Sequence, residues 1–420
     1  MNQAYLAGLI FTATYLVIVS ERIHRTLAAL MGGMLMVLAG VISQKDAFLS
    51  IDLNVIFLLA GMMMIANVMA ETGIFQWLAI QAVRLGRGNA VAIMIIISLI
   101  TALASAMLDN VTVVVLIAPV TLFIAATLGV NPLPFLITEV MASNIGGAAT
   151  LIGDPPNILI GSEAGISFAS FITNMGPPIL VSLASALAIL AVQFAKQLQV
   201  TPERRQAVMR MQTSGLISDR ALLTKTLIVL ALVMAGFFLH AWLHLQPATI
   251  ALSGAVVLLV WTGHDPHKIL SQVEWATLMF FVGLFITVEA LVRVGIIDAI
   301  ADSLLQLTHG NLNVTTFFIL WFSALASGII DNIPYTATMI PVIQDLAQVV
   351  RVEPLWWALA LGADLGGNLT LVGASANVVV ASVAERSGYR MAFGQFLRHG
   401  VVIVLVSLLI ASLWLWVRYL

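Results

Sequence analysis

The sequence predicts an all-α polytopic membrane protein built as two inverted repeats, each with five transmembrane helices, one re-entrant hairpin and a broken helix. Three observations carry this. The composition is strongly apolar with long charge-free runs, the chain repeats itself at an offset near 222 residues, and polar breaks recur at matching places in the two halves. Of 420 residues, 61% are hydrophobic and 9% are charged, and the mean hydropathy is +1.05. A soluble domain carries roughly 25% charged residues, so this chain has too few to coat a water-facing surface. Residues 4–20, 26–44, 89–108 and 401–417 are runs without charge, each near the roughly 20 residues that cross hydrocarbon as a helix. The net charge of −2 and the lack of a basic stripe give no sign of a nucleic-acid partner. The absence of cysteine removes disulfides, thiolate metal sites and thiol redox chemistry.

The first run is expected to be a retained span and not a cleaved signal, because Arg22, His24 and Arg25 follow it instead of preceding it. Self-comparison then organises the rest. A shift of 222 lays Gly32 on Gly254, Gly61 on Gly283 and Gly73 on Gly295. It also lays Ala102-Leu103-Ala104-Ser105 on Ala324-Leu325-Ala326-Ser327, Asp109-Asn110 on Asp331-Asn332, and Pro119 on Pro341. A shift of 220 continues the match through Gly146-Gly147 and Gly366-Gly367, Thr150 and Thr370, Gly153 and Gly373, and Asn157 and Asn377. The halves are residues 1–195 and 222–420, joined by the basic segment 196–221 with Arg204, Arg205, Arg210 and Arg220.

In the first half, spans are expected near 4–20, 26–43 and 53–71, then an amphipathic piece over 74–85. Two apolar helices, 89–108 and 110–127, are separated by Asp109-Asn110 alone, too short for a loop at the lipid surface. They read as a hairpin whose polar tip is buried in protein, where irregular backbone is tolerated. A span from 134 to about 162 is broken at Gly153-Asp154-Pro155-Pro156, since proline removes backbone donors and forces the residue before it off helical geometry. A last span covers 168–195. Five crossings is an odd number, so two such halves in tandem face opposite ways. With the linker placed in the cytoplasm, only Lys45, Arg293, Arg351 and Arg418 of the 18 Lys and Arg fall outside, a strong positive-inside bias. Both termini are then extracytoplasmic. Single cysteines at Ser214 and Asn2 of this cysteine-free chain would report that orientation by impermeant labelling.

Four acids, Asp109, Asp154, Asp331 and Asp364, fall inside apolar stretches. A carboxylate at the bilayer centre costs about 2.5–3.5 kcal/mol on insertion scales, so each is a functional candidate. Asp109 and Asp331 suit N-caps for the second hairpin helices, but serine would cap at lower cost, so a further role is expected. Asn110 and Asn332 offer donors and acceptors at the tips. The tips should approach one another across a polar cavity that Thr150 or Thr370 also lines. Asn144, Thr150, Asp154 and Asn157 stand around the first break, and Asp364, Thr370, Ser375 and Asn377 around the second. The repeats trade an acid: it stands at 154 but not 374, and at 364 but not 144, which suggests one asymmetric site. Proton coupling is expected at Asp109 or Asp331 before Asp154 or Asp364, because only the tip acids occur in both halves. Glu71 and Glu289 near the ends of the third spans read as interfacial, and the histidines lie in or near loops.

The stretches LDNVTVVVLIAPV and ASNIGGAATLIGDPPNILIG resemble signatures of the arsenite-permease and sodium–proton antiporter (ArsB/NhaD) family of the ion transporter superfamily, in the subgroup that includes relatives of the melanosomal P protein. The resemblance spans essentially the whole chain. It implies an elevator-type secondary transporter, with binding residues at the two tips and the two breaks, and no cofactor. Serine-asparagine-threonine tips mark dicarboxylate members, and aspartates stand here instead. The substrate this implies is arsenite or antimonite moved against protons, with sodium–proton antiport as the alternative and another small anion or an intramembrane aspartyl protease less favoured. For the protease, Leu151 stands where Gly-x-Gly-Asp needs its first glycine. A channel fits the helix breaks but not the charged switching residues. No Gly-x4-Gly-Lys-Ser/Thr motif is present. The resemblance leaves room for a homodimer and for a separate ATPase subunit. The expected location is the inner membrane.

Overall fold

The computed structural model describes residues 3–20, 22–210 and 215–420, so Asn2 and Ser214 lie outside the described residues. Among the described residues every regular element is a helix. The first ten are α1 (Gln3–Ser20), α2 (Arg25–Leu38), α3 (Gln44–Leu49), α4 (Leu53–Glu71), α5 (Ile74–Leu85), α6 (Ala90–Ser105), α7 (Asn110–Leu128), α8 (Leu133–Gly147), α9 (Pro155–Glu163) and α10 (Phe168–Phe194). After the linker helix α11 (Pro202–Met209) the series recurs. It runs α12 (Arg220–Leu243), α13 (Pro247–Thr262), α14 (Pro266–Ser271), α15 (Trp275–Arg293), α16 (Ile296–Thr308), α17 (Leu312–Ser327), α18 (Asn332–Leu346), α19 (Glu353–Gly366), α20 (Ser375–Arg386) and α21 (Phe393–Tyr419). Seven of these helices are long and apolar enough to cross a membrane, and the protein is a multi-pass membrane protein.

The expected spans, hairpins and broken helices are present with boundaries close to those read from the pattern. The short helices α3, α11 and α14 are additions. Their polar, six- to eight-residue sequences carry no hydrophobic period long enough to announce a helix. Chain entry into α5 and α16 is the same in both halves, through Gly73 and Gly295 at φ of 77° and 75°, a left-handed geometry that glycine adopts at no steric cost.

Packing exchanges the halves. A methyl on Gly61 of α4 would sit 2.7 Å from the Ala251 carbonyl carbon of α13, and one on Gly283 of α15 would sit 2.4 Å from that of Ala29 in α2. Ala251 is Ala29 moved by the same 222 residues that relate Gly61 to Gly283, so each half offers its glycine to the other's backbone about a pseudo-two-fold axis. Such small-residue contacts let membrane helices approach closely. The surface follows the same operation with its charges reversed. Glu71 pairs with Lys268 at 2.8 Å, and its equivalent Arg293 pairs with Asp46, the equivalent of Lys268, at 3.4 Å. Glu289 bonds Arg293 one turn away. Glu71 and Glu289 are thus ends of surface ion pairs, worth little in stability, as their interfacial reading expected.

Candidate functional site

The hairpin tips are held at the helix breaks by backbone. Helix α6 runs alongside α8, and a methyl on Gly146 would lie 2.2 Å from the Ala102 carbonyl oxygen. Gly366 meets Ala324 in the same way at 2.4 Å. Each tip is then tied to its break by a threonine: Thr150 Oγ1 donates to Ala106 O and Thr370 Oγ1 to Gly328 O, both at 2.6 Å. These hydroxyls were expected to face a shared cavity. They are instead occupied in joining tip to break, because the freed carbonyls at the ends of α6 and α17 need a donor.

The break loops are closed by asparagine. Asn157 Nδ2 donates to Thr150 O at 3.1 Å, and Asn377 Nδ2 donates to Thr370 O at 2.9 Å and Gly367 O at 2.8 Å. The second break lacks proline, yet Ala374 (φ −147°, ψ 143°) matches Asp154 (φ −139°, ψ 135°). The asparagine bonds therefore suffice to set the break.

Tip acids and break acids have different surroundings. Asp109 Oδ2 accepts from Thr112 N and Thr112 Oγ1, both at 2.9 Å, which is N-capping of α7. Asp331 Oδ1 caps α18 through Ile333 N at 3.1 Å, while its Oδ2 takes Arg25 Nη1 at 3.1 Å and Ser375 Oγ at 2.9 Å. Asp154 is the meeting point of the tips: Asn110 Nδ2 donates to its Oδ2 at 3.0 Å and Asn332 Nδ2 to its Oδ1 at 3.2 Å. The tip asparagines approach one another as expected, on a single carboxylate. Behind it Asn144 accepts from Asn110 at 3.3 Å and donates to Asn368 and Asn377, both at 2.9 Å, which links the two halves. Asp364, 0% exposed, lies near Asp154 and within reach of the Asn157 amide, yet neither of its oxygens receives a well-aligned hydrogen bond. Asn110 Oδ1 and Asn157 Oδ1 are also buried without a donor.

The sequence reading missed two participants. Arg25 was counted only as a loop charge, since its partner is 306 residues away. Asn368 has alanine as its counterpart at 148 and so did not stand out from the repeat. Glu139, an acid that the sequence places beside the broken span, is fully buried in α8, with Oε2 accepting from Thr121 at 2.6 Å and Oε1 unpartnered. Among the described residues no group of three or more His, Asp or Glu is placed to hold a metal.

A family model described as citrate transporter (CitMHS) matches residues 15–362. The chain belongs to the CitMHS citrate transporter family. It is 48% identical over 99% of both chains to the uncharacterized transporter Rv2684 of Mycobacterium tuberculosis. It is also 44% identical to the 46 kDa membrane protein of Mycobacterium leprae, over 100% of this chain and 99% of the other. The P protein of Homo sapiens is 35% identical over 100% of this chain and 60% of its own length, which bears out the P-protein kinship. The YdaH transporter of Alcanivorax borkumensis has a similar fold, with a TM-score of 0.56, 18% identity, and coverage of 91% of this chain and 87% of that one. The chain is therefore a membrane transporter and not an enzyme. The family found is the citrate transporter one, where the motifs had resembled the arsenite-permease and sodium–proton antiporter family.

Proposed function

We propose that this chain is a secondary-active transporter of the inner membrane that exchanges sodium for protons at the site around Asp154 and Asp364. The observation that carries the reading is the excess of acceptors there. Asn110 Oδ1, Asn157 Oδ1 and both Asp364 oxygens are buried with no well-aligned donor, and a buried acceptor without a partner is costly. A hard cation takes oxygen ligands of this kind, and a proton on Asp364 would supply the missing donor. Size supports the same choice. Of the acceptor residues Asn110 lines the adjoining space, with Asp109, Asp154 and Asn332, and that space is about 10 Å³, close to the roughly 10–15 Å³ that one water needs.

Proton-coupled efflux of arsenite or antimonite is the second reading, since the same acceptors suit three hydroxyl donors, but it requires a wider cavity than this conformation has. Citrate would face Asp109, Asp154, Asp331 and Glu274, with Arg25 the one Lys or Arg among the described residues lining the two cavities, and would have to arrive with its charge covered by cations. Inside-out vesicles with an imposed pH gradient separate these readings. Sodium is expected to dissipate the gradient, with lithium as a second probe. Dissipation by arsenite, antimonite or citrate with sodium inert overturns the sodium assignment.

We also read residues 1–195 and 222–420 as inverted repeats about a cytoplasmic linker, 196–221, with both termini outside. Helices α2, α4, α13 and α15 would form the scaffold, and the hairpins and broken helices the moving part. The Lys/Arg bias supports this, as does the pseudo-two-fold packing. Cysteines at exposed Gln206 and Gln246 test it: in intact cells an impermeant thiol reagent is expected to label Q246C and spare Q206C. Labelling of both from outside would sink the inverted arrangement.

A further inference from the structure

We propose that Arg25 is a gate residue whose ion pair with the hairpin-tip Asp331 closes the polar site, and that an entering sodium ion opens it by replacing Arg25 at that carboxylate. The proposal rests on the polar site being the transport site, and it begins from two cavities that share a wall. One, about 310 Å³, is open and largely apolar, lined by Ile18, Val19, Ile23, Val372, Val378 and others. The second is the space of about 10 Å³ around Asn110, Asp154 and Asn332. Arg25, Val111, Glu274 and Ser375 line both and so stand between them.

Within that wall, one set of bonds crosses from the N-terminus of α2 to the second hairpin and the second break. Arg25 Nη1 donates to Asp331 Oδ2 at 3.1 Å and to Ser375 Oγ, and Ser375 Oγ donates to the same Asp331 oxygen at 2.9 Å. The guanidinium is also steadied 5.5 Å above the Phe280 ring. Charge-assisted hydrogen bonds of this kind are the strong ones. Passage from the open cavity to Asp154 requires this cross-link to break.

The gate exists on one side only. The equivalent of Arg25 in the second half is Pro247, so the first tip has no matching scaffold cation, and Asp109 is satisfied by Thr112 of its own helix. The counterpart of Thr112 beside Asp331 is Pro334, which has neither an amide N–H nor a hydroxyl to offer, so the second Asp331 oxygen is left for Arg25 and Ser375. Replacing Arg25 by a sodium ion at Asp331 exchanges one positive charge for another, so the carboxylate is never left unpaired. An unpaired carboxylate away from water would be strongly unfavourable. Glu274 within the wall and Asp109 and Asp154 in the inner space are the other acids lining these cavities, and all favour the presence of one cation there.

The absence of cysteine allows a direct test on the purified full-length protein. Thr277 lines the inner space and is buried, while Val378 lines the outer cavity and is 41% exposed. With T277C as reporter and a small thiol reagent, R25Q and D331N are each expected to raise the labelling rate roughly tenfold, the shift expected from losing one charge-assisted hydrogen bond. R25K, which keeps the charge, is expected to stay near the parent. The V378C rate should be unchanged throughout, which separates gate opening from unfolding. Replacing choline chloride by sodium chloride at fixed ionic strength and pH should speed T277C labelling in the parent and not in R25Q. Equal T277C rates in parent, R25Q and D331N overturn the gate, and no sodium effect in the parent overturns the exchange. A labelling pattern that holds while vesicles show no sodium-dependent transport would overturn the proposed function and leave the gate standing.

Discussion

Replacing Asp364 with asparagine is expected to abolish sodium–proton exchange while leaving the protein folded. The side chain is fully buried, and both its oxygens lack a well-aligned donor. Of Asp109, Asp154, Asp331 and Asp364, it alone neither caps a helix nor receives a well-aligned hydrogen bond. Asparagine keeps its shape and removes the group that carries charge. We expect transport to fall by about a hundredfold or more, the factor matching roughly 3 kcal/mol for removing one member of a buried charged set. The unfolding temperature in detergent should hold or rise. Asp109→Asn is the contrast. Asparagine is as good an N-cap as aspartate, and the Thr112 amide that Asp109 binds remains to be capped, so a modest change is expected. Transport and thermal unfolding of both variants decide the matter. Full activity in D364N with loss in D109N would restore the order of preference that the repeated tip acids suggest from sequence.

Placing Asp364 ahead of the tip acids depends on contacts that the fold supplies and the sequence does not. Helix positions were legible because the apolar runs are long and their interruptions are chemically abrupt. Asp109-Asn110 and Gly153-Asp154-Pro155-Pro156 cannot continue a helix in lipid, and each interruption has a twin in the other half. The meeting of Asn110 and Asn332 followed from burial alone, since two polar tips in hydrocarbon have only each other and the breaks as surroundings. What each acid does was not legible. Asp109 and Asp331 share an Asp-Asn pair, but Thr112, which bonds Asp109, has Pro334 as its counterpart, with neither an amide N–H nor a hydroxyl. The rest of the difference is made by Arg25, far away in the chain, where the second half has Pro247. Thr150 and Thr370 read as ligands because they repeat. They repeat because both tips need the same tie to the same freed carbonyl. Repetition marks a shared structural need as readily as a shared chemical one, whereas the unrepeated residues Arg25, Asp154, Asp364 and Asn368 build the asymmetric centre.

The larger structural effect is expected at Gly146. A Cβ there would lie 2.2 Å from the Ala102 carbonyl oxygen, 2.5 Å from its Cα and 2.6 Å from its carbonyl carbon. All three are backbone atoms of α6, so no side chain can rotate aside. Helices α6 and α8 would have to separate along their length, and the tip carrying Asp109 and Asn110 would move with α6. Overpacking costs typically 1–3 kcal/mol and occasionally more, and the rigid obstacle places Gly146→Ala at the upper end. Gly366→Ala meets Ala324 at 2.4 and 2.5 Å and should behave alike. Gly8 of α1 serves as control, because its nearest neighbour would be the tip of the Ile296 side chain 3.7 Å away, and a helical glycine replaced by alanine without strain gains roughly 0.4–1 kcal/mol. Thermal unfolding in detergent should therefore fall for G146A and G366A and hold or rise for G8A. Transport should fall further in G146A than its stability loss explains, since Asn110 no longer reaches Asp154. If G146A unfolds at the parental temperature and transports normally, the hairpin is not seated on the broken helix as described, and the placement of the tip at Asp154 fails with it.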